Sequence, residues 1–186
     1  SGVSAQQLTE EWPTFGYDRT HTGHNPDGTG LTADPGGAWQ YAAASSGYGA
    51  GVAVGGGTVY AANRDGSCYA VDATSGEALE GWPVDLGAPS QATPTVANGT
   101  VYVGNENGTV RALNAETGET QWRFDTEGAI RGAPVAAGGV VYATSMDGVV
   151  YAINGADGTE AWTVDTGAGV GDDVGVPGSP SVVTAG

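Results

Sequence analysis

Residues 139–162 read GVVYATSMDGVVYAINGADGTEAW. The words VVYA come twice, each copy is followed within a few residues by Asp-Gly, and the stretch closes on Trp162. Each half is rich in β-branched and aromatic residues, the composition of a short strand. Asp147-Gly148 between them accepts the positive φ that a tight hairpin requires. The stretch therefore predicts four strands: 134–139, 140–145, 149–154 and 159–165, with turns at MDG and ADG. The doubled VVYA is the second and third strand of one small antiparallel sheet.

The same layout recurs along the chain. Gly-X-Val-Tyr occurs at 57–60, 99–102 and 139–142, so Tyr60, Tyr102 and Tyr142 are spaced by 42 and 40 residues. Trp39, Trp82, Trp122 and Trp162 follow at intervals of 43, 40 and 40. Pro94 and Pro134 stand eight residues before their tyrosines, where the first copy has Val52. The turn pairs Asp65-Gly66, Asn107-Gly108 and Asp147-Gly148 keep step, as do Ser75-Gly76, Thr117-Gly118 and Asp157-Gly158. Four short strands per repeat of about 40 residues are the signature of a β-propeller blade. One such sheet cannot bury both of its faces alone, so each blade must pack face to face with the next. The repeated tryptophan supplies a large apolar plate for that packing, with one N–H seeking an acceptor. A ligand-stacking platform is the alternative role.

Composition agrees with an all-β chain. The 186 residues include 34 glycines and only 39% hydrophobic residues, which suits short strands and many tight turns. No stretch approaches the ~18 apolar residues of a membrane span. The N-terminus lacks a basic start with an apolar run, so an export signal is either removed or was never there. Charge is the strongest bulk signal: 21 acidic residues stand against five basic ones, for a net charge of −16. The five are Arg19, Arg64, Arg111, Arg123 and Arg131, and lysine is absent. Such a charge repels itself in dilute buffer, whereas multimolar salt cuts the Debye length to ~3 Å or less. The lysine-free acidic surface resembles that of proteins from salt-loving organisms, haloarchaea in particular; an acidic secreted protein is the other reading. Nucleic acid is excluded as a partner, because its binding needs a basic footprint.

Ala112-Leu-Asn114-Ala-Glu-Thr-Gly118-Glu-Thr-Gln-Trp122 and Ala152-Ile-Asn154-Gly-Ala-Asp-Gly158-Thr-Glu-Ala-Trp162 resemble the repeat of the PQQ-like propellers. That group comprises the quinoprotein dehydrogenases and the BamB-type outer-membrane assembly lipoprotein. Ala70-Val-Asp72-Ala-Thr-Ser-Gly76 keeps the aspartate of the motif, but its Trp82 comes six residues after the glycine rather than four. Residues around Leu79 to Gly81 thus read as a two-residue insertion. The resemblance spans about residues 37–186. EWPTFGYDRTHTGHNP (11–26) also resembles the leader preceding the first blade in many members, with Trp12, Phe15 and Tyr17 as anchors and Asp18 and Arg19 as a local pair.

The resulting division is a leader segment at 1–35 and PQQ-like repeats at 36–186. Whole blades are expected at about 50–87, 91–127 and 131–167, with a lone fourth strand at 36–43 and a lone first strand at 178–186. Three blades and two spare strands do not close a ring, since propellers have four blades or more. The chain is then either a piece of a longer protein or a partial propeller that associates through exposed terminal blades.

Residues able to carry chemistry are few. In the quinoprotein enzymes the resemblance implies a quinone held with calcium, a tryptophan floor, often a vicinal cysteine disulfide, and an aspartate base. Cys68 is the only cysteine and stands where other copies carry valine, so it reads as a small buried hydrophobe rather than a reactive thiol. His21 and His24, with Asp18 and Asp27 nearby, read as a turn in the leader rather than a metal site. Asn63-Arg-Asp65-Gly66 and Asn105-Glu-Asn107-Gly108 lack the full calcium-loop spacing and read as hairpin turns. Asp172 and Asp173 lie in a loop about six residues longer than its counterparts and touch a cation, a partner or only solvent. No catalytic, cofactor-binding or metal-ligating residue is assigned, and no cofactor is expected. The expectation is a binding or assembly scaffold, extracytoplasmic or on the cell surface, with a protein partner. The rival is a fragment of a PQQ-dependent quinoprotein dehydrogenase. The location rests on the family resemblance alone.

Overall fold

The computed structural model describes Tyr41 and residues 47–167. The leader with its aromatic anchors, the Asp18–Arg19 pair and His21 and His24 lies outside the described residues. So do most of the 36–43 strand, the Asp172–Asp173 loop and the 178–186 strand.

Twelve strands form three four-stranded antiparallel sheets, each in simple chain order, and the described residues contain no helix. The first sheet holds β1 (Val52–Gly55), β2 (Thr58–Ala62), β3 (Ser67–Asp72) and β4 (Val84–Asp85). The second holds β5 (Thr95–Ala97), β6 (Thr100–Gly104), β7 (Thr109–Asn114) and β8 (Thr120–Asp125). The third holds β9 (Val135–Ala137), β10 (Val140–Thr144), β11 (Val149–Asn154) and β12 (Glu160–Asp165). The fold is all-β, as the pattern predicts: three propeller blades, not closed into a ring among the described residues.

Register explains the doubled word. Tyr142 of β10 pairs with Ala152 of β11, and Ala143 pairs with Tyr151. Two antiparallel copies of Tyr-Ala thus place each ring opposite a methyl group, and successive side chains point to opposite faces. One tyrosine serves each face of the blade. The first blade repeats this with Tyr60↔Ala70 and Ala61↔Tyr69.

The hairpin turn departs from expectation in one respect. Only the glycine takes positive φ, +87° at Gly148, while Asp147 does not. Gly148 N–H bonds to Ser145 carbonyl at 3.1 Å and Ser145 N–H to Val149 carbonyl at 3.1 Å, a longer loop than a two-residue turn. The aspartate serves by its side chain instead. Its Oδ1 accepts Val149 N–H at 2.8 Å and its Oδ2 accepts the Tyr151 hydroxyl at 2.8 Å. Asp65 does the same for Ser67 N–H and the Tyr69 hydroxyl at 2.8 and 2.7 Å.

Two apolar clusters lie between the sheets, not within them. Tyr60, Ala62, Cys68, Ala70, Trp82 and Leu86 of the first blade pack against Val101, Val103 and Leu113 of the second. Tyr102, Val110, Ala112 and Trp122 of the second pack, with Ile130, against Val141, Ala143, Tyr151 and Ile153 of the third. Burying one such side chain contributes ~1.5–3 kcal/mol. Matched backbone bonds reinforce the stacking: Ser90 N–H to Asn63 carbonyl (3.0 Å) and Ile130 N–H to Asn105 carbonyl (2.9 Å). Among the described residues no helix is long and apolar enough to cross a membrane.

Candidate functional site

The Ala-x-Asx-x-x-x-Gly-x-x-x-Trp motif can now be built from its atoms. Asp72 Oδ1 accepts the backbone N–H groups of Thr74 and Ser75 at 2.9 and 2.7 Å. Asn114 Oδ1 accepts those of Glu116 and Thr117, both at 2.9 Å. The turn closes with Gly76 N–H on Asp72 carbonyl (2.8 Å) and Gly118 N–H on Asn114 carbonyl (2.9 Å). Aspartate and asparagine are interchangeable here because only an acceptor oxygen is used. The third copy differs: Asn154 Nδ2 donates to Thr159 Oγ1 at 2.7 Å.

The turns of the second and third blades dock on the tyrosine and tryptophan side of the preceding blade. In the second blade Tyr102, Ala112 and Trp122 lie in one row across β6, β7 and β8. The small central alanine lets the two rings meet over it, with centroids 5.8 Å apart. The third blade's turn covers that plate. Trp122 Nε1 donates to Gly155 carbonyl at 2.8 Å. A Cβ on Gly158 would lie 2.8 Å from the indole ring, so this close approach requires glycine.

The interface between the first and second blades follows the same plan with one partner exchanged. After Leu79 the strand detours, Trp82 N–H bonding back to Leu79 carbonyl at 3.2 Å, and only Val84 and Asp85 rejoin the ladder. The predicted insertion is therefore a local turn. Trp82 still stacks on Tyr60 at 5.6 Å. The acceptor equivalent to Gly155 is Ala115, and the Tyr60 hydroxyl donates to it at 3.1 Å. Trp82 Nε1 is buried without a partner. A cleft of about 650 Å³ opens beside this junction, lined by Tyr60, Leu79, Asn98, Ala115 and Gln121 among others.

The outward side of the third blade carries the same plate without a covering blade among the described residues. Tyr142 and Trp162 stack at 5.8 Å, yet Trp162 is 45% exposed where Trp122 is 7% exposed. Val164, the counterpart of Phe124, is 51% exposed. At the other end the first blade's outward side is closed: Ala61, Tyr69 and Val71 are buried. Tyr41 lies 5.9 Å from Tyr69, the relation Phe124 has to Tyr151 at 5.6 Å.

The hairpin-turn end of the blades carries a polar strip. Arg64 Nη2 donates to Gln91 Oε1 (3.2 Å), Gln91 Nε2 to Glu106 Oε1 (2.6 Å), and Arg131 Nη2 to Glu106 Oε2 (2.9 Å). Those side chains link the turns of successive blades. Cys68 is fully buried, and burial pushes its thiol up to about 12, so it is the inert hydrophobe the repeat implied. Burial also raises the Tyr60 and Tyr102 hydroxyls. Burial, aided by Asp147, raises Tyr151 to about 12. Asn63, Asp65, Asn105 and Asn107 sit in hairpin turns whose oxygens are used by local backbone or tyrosine donors. Among the described residues no three His, Cys, Asp or Glu side chains are grouped to hold a metal. The tyrosine plates were visible in the sequence as a spacing, without a role. The carbonyls that take the Trp122 indole and the Tyr60 hydroxyl left no trace there, since any residue supplies one.

The family of the outer membrane protein assembly factor BamB matches residues 29–129 and again residues 80–186. The chain belongs to this family. No curated protein sequence matches it. Among solved structures, BamB from Moraxella catarrhalis is 28% identical with a TM-score of 0.67, over 78% of this chain and 47% of that one. A quinohemoprotein alcohol dehydrogenase from Pseudomonas putida HK5 is 25% identical with a TM-score of 0.69, over 82% of this chain and 26% of that one. One from Comamonas testosteroni, 24% identical over 86% of this chain and 28% of that one with a TM-score of 0.69, shares the fold. This BamB-family chain thus spans about half of the BamB structure and about a quarter of the dehydrogenases.

Proposed function

We propose that this BamB-family chain is a non-catalytic propeller serving as a binding or assembly scaffold, outside the cytoplasm and in concentrated salt. The observation that carries this reading is the use of the motif itself. Its backbone carbonyls, glycines, tyrosines and tryptophans tie blade to blade, and among the described residues what meets solvent is turns and one apolar blade face. The family match to an assembly factor points the same way. The scaffold's partner is a protein, engaged through the open terminal blade. Nucleic acid is opposed by the net charge of −16. The absence of lysine and the acid excess support the high-salt setting, with a haloarchaeal source.

The second reading, a portion of a quinoprotein dehydrogenase, is favoured by the 25% identity to the Pseudomonas enzyme. The residues present do not fit a quinone site of the kind the resemblance implies. Cys68 is single and sealed inside the first blade junction, so it forms no vicinal disulfide. Trp82 and Trp122 are wedged between blades and offer no free ring face as a floor, and the exposed Trp162 has no group of metal-binding side chains beside it among the described residues. Titration calorimetry of the chain with PQQ and Ca²⁺ in 3 M KCl discriminates the two. The scaffold reading expects no saturable heat; one quinone bound per chain overturns it.

A further inference from the structure

The chain holds seven asparagines, and the fold sorts them by use. Asn63 and Asn105 are buried, and their side-chain oxygens hold the hairpin turns through the N–H groups of Asp65, Asn107 and Thr109. Asn114 and Asn154 spend their amides within the Asx turns. Asn98 and Asn107 are exposed, and neither side chain has a hydrogen-bond partner among the described residues. These two alone are followed by x-Ser/Thr, as Asn98-Gly-Thr100 and Asn107-Gly-Thr109. Asn25, outside the described residues, precedes Pro26.

Asn107 departs from the repeat. At its place the first and third blades carry Asp65 and Asp147, whose oxygens take a backbone N–H and a tyrosine hydroxyl. In the second blade Asn105 takes that N–H and Arg111 stands where the tyrosine would, which leaves the Asn107 amide idle. Asn98 has φ of +51° at the tip where the other blades place Gly56 and Gly138. Its turn projects into open space: a Cβ on Gly99 would meet nothing within 4 Å.

We propose that Asn98 and Asn107 are attachment sites for N-linked glycans, one at each end of β6. Asn-x-Ser/Thr, with x other than proline, is the acceptor sequence of that modification and belongs in surface loops of exported chains. The donor class is a glycosyl diphosphate. Asparagine Nδ2 bonds to the anomeric carbon of the sugar as the bond from that carbon to the diphosphate oxygen breaks. Nδ2 loses one proton, and the diphosphate ester leaves. Thr100 and Thr109 are buried in the folded blade, with their hydroxyls donating to Gln121 and Asp125. The transferase therefore reads both threonines before the hairpins close, while the asparagines stay outside and keep the sugar in water. One glycan then stands beside the cleft at the first junction, which Asn98 lines, and the other beside Glu106 of the polar strip. The proposal goes beyond the scaffold reading but rests on its extracytoplasmic location.

The test starts from the mature protein of the native host, digested after arginine and glutamate. Asn98 then lies on the peptide 81–106 and Asn107 on the peptide 107–111. Each peptide should exceed its sequence mass by a saccharide, placed on the asparagine by electron-transfer fragmentation. Thr100→Val and Thr109→Val, expressed in the same host, should each remove the sugar from their own asparagine alone. Val140 and Val149 hold those two places in the third blade, so both variants keep the fold. Thr100→Ser and Thr109→Ser should keep the sugar. Protease added to intact cells locates the chain in parallel. A chain that the protease reaches, with both peptides bare, overturns the proposal and leaves the location standing. A chain inside the cell overturns the location reading, and the proposal with it. A sugar on one asparagine alone overturns the assignment of the other. A sugar that survives its Thr→Val change, or an asparagine recovered only as aspartate, overturns it for that residue.

Discussion

The indole N–H of Trp122 donates to the carbonyl of Gly155 at 2.8 Å, across the boundary between the second and third blades. At the first boundary the equivalent carbonyl belongs to Ala115 and goes to the Tyr60 hydroxyl, leaving Trp82 Nε1 with no partner. Two plates of the same composition therefore differ in which ring, indole or phenol, donates to the docking carbonyl.

Trp122→Phe keeps an aromatic plate but removes that bond and strands Gly155 carbonyl, a loss of ~1–3 kcal/mol. Trp82→Phe removes an unsatisfied buried donor and gives up only ring volume, so its loss is smaller. Thermal or urea unfolding in 3 M KCl ranks the two, and equal losses would contradict the assigned bonds.

Gly158 has φ of +74° and Gly139 has φ of +81°, but only Gly158 has a neighbour, the Trp122 ring, within 4 Å of where a Cβ would stand. An alanine at either costs ~1–2 kcal/mol for the left-handed backbone. Gly158→Ala adds an overpacking cost of ~1–3 kcal/mol. The difference in unfolding free energy between the two variants measures the docking contact alone.

Acid should unfold the protein through a small set of carboxylates. Ser75 and Thr74 N–H groups hold Asp72 below the usual range, Arg123 holds Asp125 there, and Thr159 holds Asp157 there. Groups lowered in the fold contribute stability that is present above the unfolded value of ~3.9 and lost as pH falls through the folded value. In 3 M KCl, Tm should be level from about pH 7 to 5 and fall below about pH 4. Asp72→Asn retains the turn, as Asn114 does, and should flatten part of that acid limb.

The buried Cys68 thiol, raised to about 12, should not react with a thiol reagent at pH 8 until the protein unfolds. Cys68→Val should change stability by less than ~1.5 kcal/mol, because Val110 occupies the same place in the second blade. Fast labelling of the native state would place the thiol outside the blade junction.

Salt should raise Tm between 0.1 and 3 M KCl, because it screens a net charge of −16. The Arg123–Asp125 pair does not carry that effect: its side chains are 57% and 56% exposed. Arg123→Ala should leave the salt dependence unchanged, as exposed pairs contribute ~0–1 kcal/mol.

Much of this architecture was legible from spacing. The intervals of Tyr60, Tyr102 and Tyr142, and the doubled VVYA, determine four strands per repeat, because alternation sorts side chains to two faces and glycine marks where the chain must turn. The valine at the position of Cys68 in the other copies told its burial. The interval from Gly76 to Trp82 told of the insertion. These are local facts, and local chemistry suffices for them.

Only the packed structure decided the rest. That Asp147 works through its side chain and not its φ depends on where Tyr151 returns across the hairpin. Which carbonyl takes an indole depends on how one sheet sits on the next, and a carbonyl has no signature in sequence. Trp122 and Trp162 follow the same motif, yet one is buried and the other is open. That difference lies in the neighbour each one has, which no residue within the repeat encodes.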